Sequence, residues 1–239
     1  MTTRWITRWA GYLLFGMVCG QSTWSMAQVT VSARVYLIKE TKERTNRTKP
    51  SAAIWLTPVP QPAEIWTSKV HPDTFRMEQK NKEFIPHLLV VPTGSSVAFP
   101  NLDPYFHNVF SQYNGKRFDL GLYETGKSKT VRFNRTGVSY IFCNIHPEMS
   151  GVIITVNTPY FAIASASGSI AIADVPPGEY EMQVWAEGVS EPQLATLTRK
   201  VKVATSDVDL GNLSIQEDAD SAHKNKFGQD YLSQPTPPY

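Results

Sequence analysis

Short runs of β-branched and aromatic residues, interrupted by Gly, Pro, Asn or Asp, recur along most of the chain. Examples are VTVSARVYLI, AAIWLTPV, HLLVVPTGSSVAF, KTVRFN, VSYIFC, GVIITV, SIAIADV, EYEMQVWA and RKVKVAT. Helical periodicity is almost absent. Strands this short, with turn residues between them, cannot each bury a face alone. They predict an all-β fold of packed sheets. The charged stretch ETKERTNRTKP reads as an exposed hairpin between the first two strands, and TPVPQPAEIWTSKVHPD, about 58–73, as an irregular Pro-rich insertion.

The first 27 residues read differently. Arg4 and Arg8 precede an apolar stretch from Trp9 to Cys19, and the segment ends in Ser25-Met26-Ala27. That is the pattern of a secretory signal of Sec type, with an apolar run too short to span a bilayer. It implies a periplasmic or secreted protein with no membrane span once the signal is removed. The chain has 23 Lys and Arg against 21 Asp and Glu, and the signal carries two of the former and none of the latter, leaving 21 of each. A neutral mature chain gives no electrostatic support for a nucleic-acid partner.

Of the two cysteines, Cys19 goes with the signal and Cys143 stands alone. An exported chain with one Cys cannot close an internal disulfide. Cys143 either packs as a small apolar residue or serves a chemical role. Its neighbours favour the chemical role. In CNIHPEM, Cys143, His146 and Met149 follow one another at intervals of three, between two apolar runs. Thiolate and thioether are soft donors suited to copper, and two His, one Cys and a weak axial Met form the blue-copper set. A second His is still required. His71 lies in the Pro-rich stretch and His223 in the C-terminal segment. His107, just before a short apolar strand in FPNLDPYFHNVF, and His87, at the start of another in FIPHLLVV, are the two candidates, with His107 preferred.

FPNLDPYFHNVF followed by CNIHPEM resembles the cupredoxins, most closely short-loop members such as amicyanin and pseudoazurin. The upstream PHLLVVPTGSSVAFPN is similar to the strand, turn and strand that precede their first His. The wider layout resembles bacterial exported proteins labelled methylamine-utilisation or plastocyanin-like. In these a cupredoxin is joined to a small sandwich like the carboxypeptidase-regulatory or transthyretin-like domain, whose signature VPPGEYEMQVW matches. That family pattern often continues Trp-His, whereas here Ala186 follows Trp185. The resemblance implies a Greek-key cupredoxin sandwich over 28–157, a smaller β-sandwich over 158–215 and an extended polar tail over 216–239. It also implies one type 1 copper held by His107, Cys143, His146 and Met149. Asn108 would tie the first strand to the Cys loop, and Phe110, Tyr140 and Phe142 would be core aromatics.

With four protein ligands and no oxyanion-hole motif or paired carboxylates, the expectation is a non-enzymatic electron carrier with a protein redox partner. The alternative is a copper-binding protein for storage, delivery or sensing; a third reading is an adhesive sandwich with a structural metal. Asp174, Glu179 and Glu181 of the second sandwich read as solvated.

Overall fold

The computed structural model describes residues 29–41, 44–48, 51–59, 71–112 and 115–218. The expected signal, most of the Pro-rich insertion, His223 and most of the expected tail lie outside them. No helix among the described residues is long and apolar enough to cross a membrane.

The described residues are all-β, as expected, apart from one short helix. The strands are β1 (Val29–Thr41), β2 (Arg44–Thr48), β3 (Ala52–Val59), β4 (Thr74–Arg76), β5 (Glu78–Lys80), β6 (Glu83–Ile85), β7 (Leu88–Pro92), β8 (Ser95–Pro100), β9 (His107–Ser111), β10 (Phe118–Tyr123), β11 (Ser128–Phe133), β12 (Gly137–Phe142), β13 (Ser150–Val156), β14 (Phe161–Ile163), β15 (Ser169–Val175), β16 (Gly178–Ala186), β17 (Arg199–Val203) and β18 (Val208–Gln216); helix α1 is Glu191–Thr196.

Two sandwiches result. In the first, a five-stranded sheet of order β10-β9-β12-β13-β7 faces a three-stranded sheet β11-β8-β4. Between them lie Phe99, Phe133, Val97, Val109, Ile141 and Ile153, together with Cys143 and Met149. In the second, a sheet ordered β15-β1-β18, with β2 hairpinned onto β1, faces β14-β3-β16-β17. Its turns form where Gly and Pro predicted them: Gly168 takes φ +81°, and the Tyr180 hydroxyl donates to the Pro176 carbonyl at 2.8 Å.

The strand pairing corrects the expected domain limits. Those limits, 28–157, put β1 and β3 in the first sandwich. Instead β1 pairs with β15 and β18, and β3 with β14 and β16. The second sandwich is therefore built from both ends of the described chain, and the first lies between them in sequence. The C-terminal limit shifts too. β18 runs through Gln216, Glu217 N–H donates to the Ile38 carbonyl, and the Asp218 carboxylate accepts from Ser190 N–H.

The two sandwiches share a core. β13 is buried on both faces: Ile153 points into the first sandwich, while Val152, Ile154 and Val156 join Leu88 and Val90 of β7 in one apolar cluster with β1, β3, β15 and β16. Its near-continuous apolar sequence follows from that double burial. Tyr140 is accordingly a junction residue, with its ring 6.5 Å from that of Trp185. Phe110 and Phe142 are buried, and their rings pack together at 5.8 Å.

Candidate metal centre

Two chain segments converge at one end of the first sandwich. His107 opens β9, where it pairs with Tyr123 of β10. Cys143 follows β12 directly, and His146 sits in the loop to β13. That loop closes on itself: Cys143 N–H donates to the Met149 carbonyl at 3.1 Å, and Met149 N–H to the His146 carbonyl at 3.0 Å. The β12–β13 ladder begins at Phe142 and Ser150, so the loop is clamped at its base.

The donor atoms face one another. Cys143 Sγ lies 3.7 Å from His107 Nδ1 and 3.6 Å from His146 Nδ1, and the two nitrogens are 3.1 Å apart. A point in their plane equidistant from all three is about 2.0 Å from each, close to the lengths of metal–imidazole bonds (about 2.0–2.1 Å) and metal–thiolate bonds (about 2.3 Å). A proton can bridge the two nitrogens, but a cation satisfies all three donors together. The donor set therefore fits a metal ion, and among the described residues this is the one such group of His, Cys, Asp and Glu.

Burial sets the electrostatics. Cys143 and His107 are fully buried, and Met149 nearly so. Burial pushes the Cys143 thiol up, opposed by N–H groups of Asn108, Ile145 and His146 directed at the sulfur. A bound cation reverses that balance, because a coordinating thiol is deprotonated. Burial also lowers His107, against the pull of Asp103. His146 is lowered to about 4, first by burial and then by the charges of His107 and Lys82. Both rings are therefore neutral at ordinary pH, with lone pairs available. His146 is partly exposed and Pro147 and Glu148 are open to solvent, so the loop histidine is the edge of the cluster that faces out.

Met149 is brought to the same core as Cys143, and its backbone is bonded to both loop donors. His87 is not part of the cluster. It sits at the junction of the sandwiches, bonded to Ser150 and Glu187. His71 is exposed and also stands outside the cluster. Asn108 does contact the Cys loop, but through its backbone N–H; its side-chain amide donates to Asp119 of β10 at 2.7 Å instead of to the loop.

Sequence reasoning missed Asp103. Its Oδ2 accepts from His107 Nε2 at 2.9 Å, with the His107 side chain fully buried and that of Asp103 6% exposed. It also accepts from the N–H groups of Asn81 and Lys82, at 2.6 and 2.8 Å. The signal was present, since Asp103 lies one helical turn's spacing before a candidate ligand in a loop of Asn, Asp and Pro. Its partners on the β5–β6 turn could not be read from the sequence.

No family model matches the chain, and no curated protein matches it. Among solved structures the chain is similar to a Cu-containing nitrite reductase (NirK) from Thermus scotoductus, with 22% identity over 42% of this chain and a TM-score of 0.34; it spans 25% of that enzyme's length. It is also similar to a purple cupredoxin from Nitrosopumilus maritimus, with 26% identity over 35% of this chain and 99% of that one and a TM-score of 0.31. A Cu(I) form of an amicyanin mutant matches with 17% identity over 44% of this chain and 99% of that one, at a TM-score of 0.34. At such TM-scores none of these likenesses bears on the chemistry of the site.

Proposed function

We propose that the chain binds one copper ion through His107, Cys143 and His146, with Met149 as a weak axial donor, and carries single electrons between protein partners. The observation that supports this most is the triangle of one sulfur and two imidazole nitrogens with edges of 3.7, 3.6 and 3.1 Å. A soft thiolate with two imidazoles in a trigonal set suits copper better than the hard cations, which take oxygen. When bound, copper supplies a one-electron couple.

The chain's own residues do the rest. β9 and the clamped loop hold the donors in place, which lowers rearrangement between oxidation states and slows loss of the ion. Burial of Cys143, His107 and Met149 keeps water out. His146 is the exit to the surface. Leu102, Tyr105 and Phe106, on the loop leading to His107, are all exposed, and such apolar side chains suit the small interfaces of redox encounters, often below about 1,200 Å². The carrier reading, without catalysis, fits a largely buried site whose donors all come from the protein, and an exported setting fits a lone Cys protected by metal.

The test is copper loading followed by repeated reduction and reoxidation with a strong Cu(I) chelator present. The expected results are an intense thiolate-to-copper charge-transfer band, about one copper per chain as a single ligand set requires, and retention of copper through every cycle. Copper lost on first reduction would instead make the protein a copper carrier or store. A colourless protein that holds zinc would overturn the copper reading.

A further inference from the structure

The two residues between β5 and β6, Asn81 and Lys82, both have left-handed backbones, at φ +58° and +59°. With Lys80 and Glu83 paired across the turn, this is the two-residue hairpin form that favours Asn-Gly. Lys82 therefore occupies a position where Gly would be unstrained and an L side chain is disfavoured. The contacts of the turn account for it. Its two N–H groups both point at the Asp103 carboxylate, one to each oxygen. The Lys82 ammonium lies 5.2 Å from the centre of the Tyr105 ring, on the same loop as Asp103.

That loop is fixed a second time by Asn101, which is fully buried. Its amide donates to the carbonyls of Tyr105 and Tyr123, and its Oδ1 accepts from Asp103 N–H. Asp103 thus has its backbone held by Asn101 and its carboxylate held by the turn. The remaining acceptor capacity of Oδ2 faces His107 Nε2. A carboxylate held by N–H donors only accepts, so Nε2 carries the hydrogen and Nδ1 presents a lone pair toward Cys143 and His146.

We infer that Asp103 is a positioning residue for the metal centre, with the β5–β6 turn as its mount: it fixes the tautomer and orientation of His107 and increases the ring's strength as a donor. The inference rests on the copper reading for its redox consequence but not for the tautomer. Partners of this kind matter because loss of a carboxylate behind a ligating His typically costs about 10–100-fold in metal affinity. The negative charge also favours the more highly charged oxidation state of a bound ion. Asn at this position cannot substitute, because its amide group would turn a donor toward the N–H of either the turn or His107.

The test has a metal-free and a metal-loaded part. In the metal-free full chain at pH 8, 15N NMR of the imidazoles should find His107 with hydrogen on Nε2, and Asp103→Ala should give a mixture of tautomers. In the copper-loaded protein, Asp103→Ala and Asp103→Asn should keep the thiolate charge-transfer band, raise the reduction potential and speed copper loss about 10–100-fold. Hydrogen on Nδ1 of His107 in the unsubstituted protein overturns the inference even if the variants do not fold. So do variants whose potential and copper-loss rate match those of the unsubstituted protein. An unsubstituted chain that takes up copper without the band removes the copper reading and leaves the tautomer result to decide the inference on its own.

Discussion

Nε2 of His87 lies 2.7 Å from Oε1 of Glu187, a hundred residues further along the chain. Nδ1 of the same ring faces the Ser150 carbonyl at 3.1 Å. Both ring nitrogens meet acceptors, so the imidazolium is the form that satisfies them. The bond to Glu187 raises His87 above its ordinary value, against burial and with help from the charges of Glu187 and Glu83. Burial works to raise Glu187, but His87 outweighs it and holds the carboxyl low. The pair joins the first sandwich to the second beside the end of the metal loop.

Its pH signature follows from those directions. The His87 contribution is fully present below the ordinary value of 6.5 and is lost as pH rises through the raised folded value. The Glu187 contribution is present above its ordinary 4.5 and is lost as pH falls through its lowered value. Stability from the pair is therefore greatest between about 4.5 and 6.5, the two ordinary values, and declines from there toward the raised His87 value on one side and the lowered Glu187 value on the other. Denaturant titrations across pH should show stability falling as pH rises above 6.5, a fall that His87→Ala removes. The effect should be no more than about 1 kcal/mol, because both side chains are half exposed. His87→Ala should leave the copper spectrum intact, and loss of the site would return His87 to the ligand set.

The ligand set is tested by substitution. Cys143→Ser should abolish the charge-transfer band. His107→Gly should open the site and allow added imidazole to restore it. Met149→Leu should leave a coloured protein of higher potential, since loss of a weak donor disfavours Cu(II) more than Cu(I). Unchanged potential and spectrum in Met149→Leu would remove it from the ligands.

The shared core makes a mechanical prediction. Ile154 is buried in the cluster that both sandwiches contribute to. Ile154→Ala should cost about 2–5 kcal/mol and shift near-UV signals of the two sandwiches together. A fragment covering 71–157 would expose Leu88, Val90, Val152, Ile154 and Val156, and should aggregate or remain unfolded. A soluble fragment that binds copper would show that the second sandwich is dispensable to the first.

The strands themselves were legible in the sequence because β-branched runs and turn residues mark them locally. The loop was legible because Cys143, His146 and Met149 lie close together in sequence and the signal reading of the first 27 residues leaves Cys143 without a disulfide partner. His107 was preferred over His87 from its place at the head of an apolar strand after an Asn- and Asp-rich turn, and the cluster contains it. Strand partners were not legible. Alternation in VTVSARVYLI says which side chains face a core, and nothing in it names β15 and β18 as neighbours. Asp103 was missed for a related reason: its meaning lies in N–H groups of Asn81 and Lys82, backbone atoms that carry no sequence signal. Helix α1 was also unforeseen, since six residues around one buried Leu194 are too few to show a period.

β1 sits between a strand made at 169–175 and another at 208–216, with Val31 beside Val208. The earliest described strand is thus finished by the latest. Contacts this distant in sequence are slow to form, because loop-closure entropy is lost before any burial is gained. The first sandwich is subject to the same wait, since the outer faces of β7 and β13 rest on the second. A chain arranged this way cannot complete its fold while its C-terminal third is still being synthesised. It should therefore remain pliable until release. Metal capture at the proposed centre, which needs β12 and β13 to set the loop between them, would then be a late event that seals a fold already closed at both ends.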